Sequence, residues 1–89
     1  MANEQTKQKV AEALTRTYFK DSGDFVDVSD GHDDNIHVVV VSRKFDGHRL
    51  REKNDLIWSI LTQELAPEDW GKVTLSVGVS PEEIKASSL

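Results

Sequence analysis

The 89-residue chain has no cysteine. That excludes disulfides, thiolate metal sites and a cysteine nucleophile, and it suits a reducing compartment. No apolar run approaches the ~18 residues of a membrane span. The first nine residues, MANEQTKQK, are polar and lack the apolar core of a signal peptide. The expectation is a soluble, cytoplasmic protein with no membrane partner. Glycines are never clustered into a phosphate loop, and no serine sits in a Gly-x-Ser-x-Gly elbow. HExxH is absent as well, so nothing in the sequence reads as an enzyme. Internal repeats, linkers and low-complexity segments are missing too.

The charge is segregated. The formal net charge is −5, which argues mildly against broad nucleic-acid affinity. Its distribution says more. Residues 21–35 hold six aspartates (21, 24, 27, 30, 33 and 34) and no lysine or arginine. Residues 43–53 hold Arg43, Lys44, Arg49, Arg51 and Lys53 against Asp46 and Glu52.

One stretch, residues 36–65, organises the rest. It opens on Ile36 and four consecutive valines, 38–41, a β-branched run that favours a strand. Its apolar groups point both ways: if Ile36, Val38 and Val40 face the core, then His37, Val39 and Val41 face outward. The turn Phe45-Asp46-Gly47 follows. Leu56, Ile57, Ile60, Leu61 and Leu65 then recur at helical spacing, with Trp58 at the edge of the buried arc, and Pro67 stops the helix. Upstream, Val10, Ala13, Leu14 and Tyr18 predict a helix over 6–19. Residues 25–28 predict a short strand pairing antiparallel with 36–42 across an acidic loop. Val73, Leu75, Val77 and Val79 alternate strictly with polar or small residues, which predicts a strand with one buried face. Ser80-Pro81-Glu82-Glu83 predicts an N-cap and capping box. The whole reads as one α+β domain over 6–85, of order α-β-β-α-β plus a short terminal helix. A disordered N-terminus over 1–5 and a C-terminal tail over 86–89 complete it. The sheet is expected to be three-stranded and mixed, with helices packed on one face.

These residues resemble the BolA-like family. The match is carried by Val38 to Ser42, Phe45-Asp46-Gly47, Leu50, Lys53, Leu56-Ile57, Leu61 and the closing Ser80-Pro81-Glu82-Glu83. The resemblance implies a fold related to class II KH domains and a non-enzymatic adaptor or regulatory role. It also implies a monothiol glutaredoxin as protein partner, often around a shared [2Fe–2S] cluster, in iron–sulfur or iron homeostasis and stress response. Some family members are described as transcriptional regulators that bind DNA. Three positions depart from the family pattern. Lys53-Asn54 stands for Arg-His, Trp58 for Asn, and Lys72 or a neighbour for the histidine that begins the last strand. That histidine is the expected cluster ligand, so any cluster here is expected to be labile or absent.

Arg49, Arg51, Lys53 and Trp58 are therefore the candidate partner-binding residues. Arg43, Lys44, Arg49 and Lys53 are the candidates for the alternative, a KH-like nucleic-acid-binding regulator. That reading lacks the Gly-x-x-Gly loop and the aromatic stacking platforms of such binders. His32 is the one candidate metal ligand, since a neutral imidazole is competent and the family often places its second cluster ligand in this loop. A solvated loop histidine is the alternative. Asp30, His32, Asp33 and Asp34 match no EF-hand spacing. Val39 and Val41, if left open, offer a surface for self-association, and the oligomeric expectation is a monomer or weak dimer.

Overall fold

The computed structural model describes residues 2–87. Its elements are α1 (Glu4–Thr17), β1 (Phe25–Asp30), β2 (Ile36–Val41), α2 (Leu50–Glu64), α3 (Pro67–Trp70), β3 (Val73–Val79) and α4 (Pro81–Ser87). A 3₁₀ turn, Arg43–Phe45, joins β2 to α2. The expected α+β architecture is found: the sheet order is β1-β2-β3, with β1 antiparallel and β3 parallel to β2.

β2 lies in the centre because its alternate residues serve both faces. Ile36, Val38 and Val40 are fully buried, while His37, Val39 and Val41 are half-buried on the other side. α1 contributes Val10 and Leu14, and α2 contributes Ile57, Ile60 and Leu61, all packed with the first set. Burying each such side chain contributes about 1.5–3 kcal/mol, so this single layer supplies most of the cohesion. Phe19 and Phe45 close one end, with ring centroids 5.4 Å apart.

Four local expectations are corrected. The N-terminus was expected to be disordered over 1–5, yet α1 begins at Glu4 and Ala2 is buried. Asn3 is the cause: its Oδ1 accepts from the amides of Gln5 (2.7 Å) and Thr6 (3.4 Å), satisfying donors that a helix start leaves free. Lys7 and the Ala2 amide then tie this end to Asp30, at 3.0 and 3.2 Å. At the other end, α4 continues to Ser87, into the expected tail, and residues 88–89 lie outside the described residues. Tyr18 does not join the core. The helix stops at Thr17, the chain turns, and Phe19 is buried instead.

The fourth correction concerns β3. Val73 pairs with Ile36 and is buried, but His37 pairs with Leu75, so Thr74 is an extra residue, a β-bulge. Beyond it, Leu75, Val77 and Val79 share the side of His37, Val39 and Val41, away from the helices. Ser76 and Gly78 face inward. The reason is steric: a Cβ on Gly78 would lie 3.0 Å from both Lys53 Cβ and Phe45 Cζ. The space beneath α2 admits a glycine there and no valine.

Candidate partner-binding surface

The crossover from β2 to α2 gathers the basic residues, and the structure sorts them into two groups. Lys53 is buried, its side chain 4% exposed. Its Nζ donates to both carboxylate oxygens of Glu83, at 2.7 and 2.9 Å. Glu83 Oε1 also accepts from the Ser80 amide at 2.9 Å, and the Glu83 amide donates to Ser80 Oγ at 3.2 Å. The expected capping box of α4 is thus present, and Lys53 locks it to α2. The Lys53 ammonium first, and the Ser80 amide second, hold the Glu83 carboxyl below its usual range. Lys53 is no surface cation, which corrects its assignment to the partner and nucleic-acid surfaces.

Lys44 is also consumed. Its Nζ lies 2.9 Å from Asp21 Oδ2 and 2.9 Å from Asp24 Oδ2, and 5.1 Å from the centroid of the Tyr18 ring. This cation over an aromatic face accounts for Tyr18 staying at the surface. Asp24 accepts from Ser42 Oγ at 2.7 Å, and Ser42 is fully buried. Burial works against the Asp24 charge, but the bonds from Ser42, Lys44 and the Asp21 amide outweigh it and keep the carboxyl below its usual range. The two aspartates so used are those that precede β1.

Arg43, Arg49 and Arg51 differ. All three are exposed, and none forms an ion pair among the described residues. Arg43 lines a shallow cleft with Asp21, Asp24 and Pro81. Arg49 is the N-cap residue of α2, and its amide donates to Glu52 Oε1 at 2.7 Å. Gly47, at φ +76°, makes the turn that delivers it. Between the two α2 arginines stands Leu50, 62% exposed. Sequence reasoning saw Leu50 only as a motif residue; an apolar residue opening a helix between two arginines was the available signal. Trp58, seven residues on from Arg51, lies on the same stripe of α2 about 10 Å along the axis. It is half-buried, edge-to-face with Trp70 at 6.3 Å and 89°, so only its rim is available.

His32 projects from the β1–β2 loop with a side chain 91% exposed, its Nε2 3.4 Å from Asp33 Oδ2. The position opposite, at the mouth of β3, holds Lys72, whose Nζ pairs with Asp34 at 2.6 Å, and this contact holds the Asp34 carboxyl low. His37 sits over Gly31 and His48 lies 3.9 Å from Glu52. Among the described residues no three His, Asp or Glu side chains converge as a metal site. A [2Fe–2S] cluster does not fit this donor set: His32 is exposed, and Lys72, an ammonium paired with Asp34, offers no ligand atom at the start of β3.

The three-stranded mixed sheet with both long helices on one side is a BolA-like fold. A crystallised Bol-like protein from Babesia bovis superposes with a TM-score of 0.65 over 93% of each chain, at 22% identity. No protein-family model and no curated protein sequence matches the chain. Among the described residues, no helix is long and apolar enough to cross a membrane.

Proposed function

We propose that the protein is a non-enzymatic adaptor that docks an acidic protein surface, such as that of a monothiol glutaredoxin, through Arg49, Leu50 and Arg51, with Arg43 and the Trp58 rim at the margins. One observation carries this reading. The lysines of the basic run are spent on internal carboxylates, while the arginines remain exposed with no ion pair among the described residues, two of them flanking the exposed Leu50. Guanidinium groups pair with carboxylates bidentately, and an apolar anchor ringed by polar groups is the usual anatomy of a small interface. The partnership needs no cluster, because the donor set does not fit one. The resemblance to BolA-like proteins suggests a setting in iron–sulfur or iron homeostasis. The nucleic-acid reading keeps Arg43 and Arg49 but loses Lys44 and Lys53, half of its cations.

Titration of isotopically labelled protein with cluster-free monothiol glutaredoxin tests the proposal. Resonances of residues 45–60 should shift, and Arg49→Glu/Arg51→Glu should abolish the shifts. An unmoved spectrum at high micromolar partner counts against docking. Binding to DNA or RNA that falls steeply with salt would favour the other reading.

A further inference from the structure

The bulge in β3 leaves the sheet with a second apolar face. Read across β1, β2 and β3, its rows are Phe25, Val41, Val79; then Asp27, Val39, Val77; then Ser29, His37, Leu75. Six of these nine residues are apolar, with Phe25 57% and Leu75 47% exposed. The main core, with α1 and α2, lies on the other side. A contiguous apolar patch of this kind on a soluble chain marks an interface. Two polar groups interrupt it: Asp27, exposed and without an ion pair among the described residues, and the half-buried imidazole of His37.

We propose that a second copy of this chain covers the face, sheet against sheet, with strands crossing near a right angle. The two-fold axis passes over Val39 along the diagonal from Ser29 to Val79. That symmetry sets Phe25 on Leu75 of the second copy, Val41 on Val77, and the Asp27 carboxylate on the His37 imidazole. Val39 and Val79 meet their own counterparts. The other three in-plane two-folds of this grid are worse. The axis across the strands opposes Asp27 to Asp27, the axis along them buries Asp27 against Val77, and the remaining diagonal buries it against Val41. Orthogonal stacking is one of the two standard ways sheets pack. Three strands about 4.8 Å apart and five residues long give a strip of roughly 14 by 17 Å. Two such strips present a flat area of about 480 Å² in all, less than a stable specific interface uses, so the dimer is weak and reversible. This surface is separate from the arginine surface, and the test needs no partner protein.

Sedimentation equilibrium from about 10 μM to 1 mM reads it directly, with an expected dissociation constant of tens to hundreds of micromolar. The average mass should climb from the monomer's 10.0 kDa toward twice that value. Val77→Glu should weaken association at least ~10-fold while leaving circular dichroism and melting unchanged. The milder Val77→Thr should weaken it in the same direction. Asp27→Lys should weaken it, and the exchange Asp27→His/His37→Asp should restore it. A wild type that stays monomeric at about 1 mM overturns the proposal. So does association indifferent to Val77→Glu, or growth beyond the dimer, which marks edge pairing of β1 instead.

Discussion

Between Arg43 and Lys53 the chain carries three arginines and two lysines, and the two residue types part company in space. The lysines turn inward: Lys44 reaches Asp21 and Asp24, and Lys53 runs beneath α4 to Glu83. The arginines stay outside with no internal ion pair among the described residues. A lysine stem packs on apolar neighbours while its compact ammonium finds one fixed carboxylate, which makes it an internal tether. A guanidinium, planar and weakly hydrated, is better kept for a partner's carboxylates. Five like charges in eleven residues are tolerable because two are neutralised on site.

The sharpest way to break this contrast is Lys53→Ala. It removes a packed stem and leaves Glu83 without its cation, so urea denaturation should show a loss of about 2–4 kcal/mol. Lys53→Met, which keeps the stem, should lose less. A loss under about 0.5 kcal/mol for the alanine variant would make Lys53 an ordinary surface residue. Gly78→Ala probes the same seam from the strand. Its methyl would press on Lys53 and Phe45, at an expected cost of about 1–3 kcal/mol.

Acid should erode the tethers first. Asp24, Asp30 and Asp34 are held below their ordinary 3.8, and Glu83 below 4.5. The unfolded chain therefore binds protons earlier as pH falls, so this stability is present above the ordinary carboxylate range and is lost as pH drops through the lowered folded values. Urea midpoints across that range should fall for the wild type, and less steeply for Asp24→Asn. The smallest effect on stability belongs to the arginines. Arg49→Glu/Arg51→Glu should change unfolding by no more than about 0.5 kcal/mol while removing the shifts that the proposed docking of a glutaredoxin would cause. A stability loss as large as that of Lys53→Ala would dissolve the distinction.

Local pattern carried most of the architecture. The valine run announced a central strand, and its alternation separated two sets of residues, because strand alternation is a short-range property; which set faced the helices was left to the structure. Ile57, Ile60 and Leu61 announced the buried stripe of α2, and Ser80 to Glu83 a capped helix, for the same reason. What escaped depends on contacts distant in the chain. Glu83 read as a cap, since nothing near it reveals that Lys53, thirty residues earlier, needs a counterion. The pairing of Asp24 with Ser42 and Lys44 was hidden likewise. The exposure of the arginines was therefore legible in the sequence, and the inward turn of the lysines was not. β3 shows the limit most plainly: its alternation was read correctly as a strand and wrongly as to side, because an inserted residue leaves no periodic trace.

That inserted residue gives β3 a competitor of its own making. If Thr74 entered the ladder opposite His37, each later residue would slide by one place and Leu75 and Val77 would turn under α2. The slipped pairing satisfies the strand's own rhythm, but it drives a valine into the seat shaped for Gly78. A folding chain must choose between these pairings, and the choice falls to a hydrogen atom where any other residue has a side chain. Enlarging that position would leave neither pairing comfortable, and the kinetic sign would be slow, heterogeneous refolding.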